Sequence, residues 1–366
     1  MPKAIKTIIW IVVIALVTWG ICTLLSREKS EISQIKIGAL LILSGDAAFW
    51  GENAKRGIEM AVNEFLDKNS ELDIEIVYED TQGEISKAVS AFQKLSNVDN
   101  VDAMIGPLMQ SEVAAISPIA FKNNIPVITP SYAPIENRSN PRNPLMIWMN
   151  PTIEAERIAE FVYKKEGVKK VSILGTQDSW EKEVSNAFAN KFKELGGEVT
   201  AKELVQTDVS DVRATITKLL RSNPEGIYLG TYYQFIQGLR VIKERGYEGK
   251  IYSIEVDSYL ADETKQFSNG LKFISPESYR SNFITKFESK YNQKPGIPAG
   301  QAYDATNILL SFLEETQDKI EIINMMENLN EYEGVSGNII ITEDNTTLFP
   351  TAIYELKNGE STKISD

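Results

Sequence analysis

The residues with the most chemical potential fall in short turns that follow apolar runs. Gly106-Pro107-Leu108-Met109-Gln110-Ser111 joins a strand-like segment to a helix-like one. A helix start offers unpaired N–H groups and a partial positive charge, which suit a carboxylate, although Ser111 fits a plain helix cap equally well. Thr129-Pro130-Ser131-Tyr132-Ala133-Pro134 is a second turn, with hydroxyls at Ser131 and Tyr132 and prolines at both ends. Asp178-Ser179-Trp180 and Gly230-Thr231-Tyr232 each place an aromatic residue just past a strand. An aromatic face holds a cation by about 1–2 kcal/mol once water is excluded. Glu255, in Tyr252-Ser253-Ile254-Glu255-Val256-Asp257, stands at the mouth of another strand. There it can meet an ammonium through a charge-assisted hydrogen bond; the plain alternative is a solvated loop acid. Trp50, with Phe49 beside it, precedes Gly51 in a further turn. Together these residues suit the capture of a small charged solute.

Several other chemistries are excluded. The 366-residue chain has no histidine and a single cysteine, Cys22. An internal disulfide, zinc sites built on Cys/His clusters and Ser-His-Asp or Cys-His catalysis therefore have no residues to build them. No Gly-rich phosphate loop is present, so an enzyme is not expected and no cofactor or metal is implied. With 51 acidic against 38 basic residues the net charge is −13, and such a surface repels nucleic acid.

The elements that must position these turns alternate along the chain. Ile35–Leu43 reads as a strand buried on both faces, broken by Ser44-Gly45-Asp46, and Ile58, Ala61, Val62 and Phe65 then recur at helical spacing. Strands are expected at Ile74–Tyr78, Val101–Ile105 and Pro126–Thr129, with helices at Ile85–Leu95 and Ser111–Phe121. A proline-rich stretch, Arg138–Pro151, interrupts the pattern and marks a crossing to a second half. The alternation restarts with a helix over Ile153–Lys165 and strands at Lys170–Leu174, Val199–Val205, Gly226–Leu229 and Ile251–Ile254. Helices Trp180–Leu195, Val209–Arg221 and Phe235–Arg245 separate them. The fold class is α/β, with parallel sheets and turns at the carboxyl ends of strands, where open sheets bind ligands.

Ile8–Leu25 carries no charge, and eighteen residues at about 1.5 Å each nearly match a hydrocarbon core of about 30 Å. Lys3 and Lys6 before it favour an amino terminus inside and the large domain outside. The run is long for a cleaved signal peptide, and Trp19-Gly20-Ile21-Cys22 departs from a lipoprotein box at two positions. Anchor, cleavage and lipidation all place residues 32–366 outside the cytoplasmic membrane.

The opening IKIGALLILSGDAAFWGENAKRGIEMAVNEF (Ile35–Phe65) resembles that of the type I periplasmic binding proteins, above all the branched-chain amino-acid (Leu/Ile/Val-binding) group. GIPAGQAYDATNILLSFLEE (Gly296–Glu315) is similar to that family's Tyr-Asp-Ala helix, and Tyr332–Glu360 to its closing strands. The resemblance implies two doubly wound, Rossmann-like lobes joined by a hinge. These would be residues 32–150 plus about 276–333, and residues 151–275 plus about 334–366, preceded by the membrane segment at 1–30. It implies capture of a small solute between the lobes and delivery to an ABC permease with its ATPase subunits. It assigns ligand contacts to Trp50, Gln110, Ser111, Ser131, Tyr132, Ala133, Trp180, Tyr232 and Glu255, with Tyr232 and Glu255 on the ammonium. Gln110 stands where the family has serine and Ala133 where it has threonine. The implied ligand is therefore an amino acid or related amine-bearing solute. A ligand-sensing ectodomain with a membrane partner is the alternative, and Asp257 serves as a nearby acid outside the motif.

Overall fold

The computed structural model describes residues 34–45, 47–134, 142–343 and 346–365. The segment expected to anchor the chain lies outside them. Among the described residues no helix is long and apolar enough to cross a membrane.

Two open sheets form, one in each half. The first comprises β1 (Gln34–Leu41), β2 (Asp73–Asp80), β3 (Ala103–Ile105), β4 (Val127–Thr129) and β5 (Leu145–Met146). They pair in parallel in the order β2-β1-β3-β4-β5. β1 is central, and from Ile37 to Leu41 every residue is buried, as its unbroken apolar run demands. β2 is the edge strand and leaves Asp73 and Glu75 exposed. Helices α1 (Ala48–Leu66), α2 (Ile85–Asn97) and α3 (Gln110–Lys122) cross between strands. Ala54 and Ile58 of α1 pack on one face of the sheet, and Ala88, Phe92 and Ile116 of α2 and α3 on the other.

The second half repeats this plan. After α4 (Pro151–Glu160) come β6 (Lys170–Thr176), α5 (Ser179–Glu194), β7 (Glu198–Val205), α6 (Arg213–Arg221), β8 (Gly226–Leu229), α7 (Phe235–Glu244), β9 (Lys250–Ile254), α8 (Ser258–Thr264) and β10 (Lys272–Pro276). Its parallel part runs β7-β6-β8-β9-β10, the same winding as the first sheet. In such an order the connections diverge to opposite faces between the first and third strands, and the crevice outside those strand ends is the natural ligand site. Each half thus brings one crevice, between β1 and β3 and between β6 and β8.

Two expected helices differ at an end. The helix expected over 153–165 is α-helical only to Glu160 and closes as a π turn over Phe161–Lys165. The helix expected from Val209 starts at Arg213, because the Asp211 carboxylate accepts from the Arg213 N–H and holds the preceding residues in a turn.

The chain returns to the first half through α9 (Ser281–Tyr291), α10 (Ala299–Glu315) and α11 (Lys319–Asn328), then a small antiparallel sheet of β11 (Glu331–Gly334), β12 (Gly337–Ile341) and β13 (Thr347–Leu348). Ile339, Ile341 and Phe349 join the core beneath β1. The final return comes with β14 (Thr351–Lys357) and β15 (Glu360–Ser365), which pair antiparallel beyond β10. That return falls near residue 350, later than the expected 334, because the apolar face of β12 closes the first core and not the second.

The three crossings run side by side. The Thr347 hydroxyl donates to the Met146 carbonyl (2.6 Å), and the Glu277 N–H donates to the Pro350 carbonyl (2.9 Å).

Candidate ligand-binding cleft

The carboxyl ends of both sheets face one cavity of about 140 Å³. That is close to the ~150 Å³ that holds a benzene-sized guest. Of the nine residues expected to line it, eight do so: Trp50, Gln110, Ser111, Ser131, Tyr132, Trp180, Tyr232 and Glu255.

Among the described residues the first rim carries no charge. Trp50 sits in the opening turn of α1, and Gly51 lets that helix close on the end of β1: a Cβ there would lie 1.7 Å from the Ile42 carbonyl oxygen. After β3, Gly106 turns with φ +97°, and a side chain would meet the Leu40 carbonyl at 2.2 Å. α3 then starts with Gln110, so Ser111 lies inside its first turn and does not cap it. The Met109 N–H is met by the Glu112 carboxylate (3.2 Å). Gln110 does not point a free donor at the cavity. Its Nε2 donates across the cleft to Glu183 on α5 (2.8 Å), and the Thr152 hydroxyl donates to the other oxygen of Glu183 (3.0 Å). Ser131 and Tyr132 follow β4. Ala133 departs from expectation: it is fully buried behind the wall against Val113, Met146 and Trp148. Its N–H donates to the Met146 sulfur (3.2 Å).

The second rim is acidic. Asp178 caps α5, accepting from the Trp180 and Glu181 N–H groups (2.9 and 3.2 Å), which sets Trp180 at the cavity edge. Glu181, 1 % exposed, accepts from the N–H groups of Tyr232 and Tyr233 (2.7 and 3.1 Å) and shapes the turn after β8. Burial pushes its carboxyl up against those hydrogen bonds. Tyr232 stacks on Phe49 at 6.1 Å and packs against Trp50 at 4.9 Å, so an aromatic cluster spans the cleft. Its hydroxyl donates to Asp257 (3.3 Å), which also caps α8 through the Leu260 N–H (2.8 Å). Burial raises the Asp257 carboxyl above the usual range.

Glu255 follows β9 with φ +48°, a left-handed conformation uncommon for a side chain of this size. Its N–H is held by the Ile274 carbonyl (2.7 Å). The residue is half-buried and opens on the cavity, while its Oε1 is sealed off. Burial pushes its pKa up, and the nearby Trp148 side chain acts in the opposite sense.

All four charged residues lining the cavity are acids: Asp178, Glu181, Glu255 and Asp257. Among the described residues no lysine or arginine lines it. Three contributors escaped the sequence reading. Trp148 was masked by the prolines around it. Glu183 belongs to a helix read only for Trp180. Glu154 falls on the apolar stripe of α4 with Ala155, Ile158 and Ala159, and an acid on such a stripe is a legible signal.

Comparison with known proteins agrees with this architecture. A family profile described as "Periplasmic binding protein" matches residues 34–361. The Leu/Ile/Val-binding protein BraC3 of Rhizobium johnstonii is 26 % identical over 204 residues, 55 % of each chain; the match thus spans about half the length of that relative. The leucine-binding protein LivK of Thermotoga maritima superposes with a TM-score of 0.82 at 25 % identity, over 90 % of this chain and 98 % of that one. A solute-binding protein from Rhodopseudomonas palustris, solved with 3,4-dihydroxybenzoic acid, gives 0.79 at 18 % identity over 91 % and 96 %.

Proposed function

Because the chain belongs to the periplasmic binding protein family, an extracytoplasmic, non-enzymatic family of solute carriers, we propose that it captures a small amine-bearing solute between its lobes for an ABC transporter. The observation that carries this reading is the charge of the cleft. Among the described residues four acids and no base line it, so a cation is drawn in and a lone carboxylate repelled. In this reading the ammonium sits between Glu255 and the Tyr232 ring, and Trp50 and Trp180 cover the apolar part. An amino acid fits if its carboxylate lies toward Ser111 and Ser131. The carboxylate side is the weaker one, since Gln110 is engaged with Glu183 and Ala133 is out of reach. A free aromatic acid, the kind of molecule seen with the R. palustris protein, meets no cation among the described residues that line the cleft.

The lobes we assign are residues 34–149 with 277–350, and 150–276 with 351–365, hinged at the three adjacent crossings. Closure by rotation about such a hinge would trap the solute, and the permease would read the closed form. The charge-free run Ile8–Leu25 would keep the domain at the outer membrane face.

Calorimetry on the full chain with leucine, isoleucine, phenylalanine, tyramine and 4-hydroxybenzoate tests the proposal. An amine-bearing member of the set should bind and 4-hydroxybenzoate should not. Tight binding of 4-hydroxybenzoate with no response to any amine would overturn it.

A further inference from the structure

Behind Glu255 lies a second acid that no ligand can touch. Glu154, on α4, is fully buried, and neither of its carboxyl oxygens meets a donor. The sealed Oε1 of Glu255 lacks a donor too. Yet α4 packs against β9, and the two carboxyl groups are near enough to act on each other's protonation. Two carboxylates are acceptors only, so a bond between them forms only when one carries a proton. The alternative is a pair of like charges in contact, in surroundings too poorly hydrated to screen them. The groups facing the pair offer little relief. Arg157, one turn along α4, also donates to the Thr351 carbonyl (3.3 Å). Tyr228 on β8 and Tyr279 beyond β10 are neutral phenols held well above their ordinary range, while Glu181 and Asp257 add further acid. Trp148 favours the charged form of Glu255 and leaves Glu154 unserved.

We propose that Glu154 is a neutral carboxylic acid at physiological pH, donating its proton to the Oε1 of Glu255 and so holding that carboxylate ionised and aimed at the cleft. Glu154 is a positioning residue for the binding reading above, on which its purpose rests. Both burial and the neighbouring charge push the Glu154 pKa well up, and the hydrogen bond from Glu154 works in the opposite sense on Glu255. The arrangement follows a general device in which a buried acid is kept neutral at neutral pH to serve as a donor. It also accounts for the left-handed backbone at Glu255, which turns that carboxyl to bridge the buried acid and the cavity. The pair then carries one negative charge, the number that a single ammonium neutralises.

Infrared difference spectroscopy on the ligand-free full chain at pH 8 tests the protonation directly. Wild type minus Glu154→Gln should show one carboxylic-acid C=O band, because glutamine keeps the donor but has no acid proton. The amine-bearing binder from the five-compound set should bind Glu154→Gln within about threefold of wild type, and Glu154→Leu roughly tenfold or more weaker, since the donor to a charged group is lost. Absence of the band overturns the inference, whether or not ligand binds. Equal affinity of Glu154→Leu and wild type would also overturn it. If Glu154→Gln does not fold, Glu255→Gln replaces it: the acid band should persist at a shifted frequency, and its absence counts against the proposal. A band present with no amine bound by wild type would leave the protonation standing and remove the functional reading instead.

Discussion

The two rims of the cleft are built on the same winding and do different work. The first rim contributes shape and uncharged polar groups: Trp50, Gln110, Ser111, Ser131 and Tyr132. Among the described residues the second contributes the charge, in Asp178, Glu181, Glu255 and Asp257. The winding fixes where the turns lie, while the residues in them decide what each half offers. If the ligand is the amine-bearing solute proposed above, charge gathered on one rim would make that rim the one to engage it first, and the other rim could close over it without burying a second ion.

This division can be broken most sharply at Glu255. Glu255→Gln removes the charge that faces an ammonium, and the expected loss is about 3 kcal/mol, or about 100-fold in Kd by calorimetry. A first-rim substitution of equal effect would erase the contrast. Gln110→Ala is the largest change expected on that rim. It deletes the hydrogen bond to Glu183 that spans the cleft, worth about 1 kcal/mol, and so should weaken apparent affinity about fivefold by favouring the open form. Glu183→Gln should reproduce that loss only in part, since an amide can still accept from Gln110. Asp257→Asn probes whether every acid on the second rim matters. Asparagine caps a helix as well as aspartate does, so α8 should stay intact and Kd should change less than about threefold. A loss like that of Glu255→Gln would shift the ammonium site to Asp257.

The smallest effect on binding is expected at Asp304, a buried acid of the first half. It lies on α10 in the Tyr303-Asp304-Ala305 motif, away from the cleft, and accepts from the N–H groups of Val335 and Ser336 (2.8 and 2.9 Å). Burial raises its pKa to about 6, above the ordinary 3.8. The folded state therefore holds this proton over a window where the unfolded chain has released it. The contribution to stability is complete below about pH 4 and is lost as pH rises through about 6. Asp304→Asn should flatten that part of a thermal-denaturation profile against pH and leave ligand affinity unchanged. An affinity change would show that the first half, too, uses an acid for binding.

Much of the scaffold was legible because local pattern and burial coincide. β1 is apolar from Ile37 to Leu41 since both faces are covered there, and the boundaries expected at Ile85, Gly226, Leu229 and Phe235 are where the elements start or end. The turns that reach the cleft were legible for the same reason: a strand end followed by a helix start places its residues at the sheet rim. The misplaced features depend on partners distant in the chain. Ala133 sits in a turn whose neighbours are on the rim, but packing against Met146 and Trp148 draws it inward. Gln110 has the chemistry of a ligand donor, and only the approach of α5 gives it to Glu183. The closing strands were divided too early because β12 alternates buried and exposed residues in a way that suits either core.

The sequence by itself determined the two wound halves, the exclusion of histidine- and thiol-based chemistry, and the strand-end turns that carry Glu255, Tyr232 and Trp180. These follow from periodicity and composition, which act over a few residues. Only the tertiary structure decided that Glu154 stands against Glu255, that a glutamine ties the two rims, and that among the described residues no base lines the cavity between them. Those facts depend on which residues from remote segments share a volume with little water, and desolvation and pairing are properties of that volume.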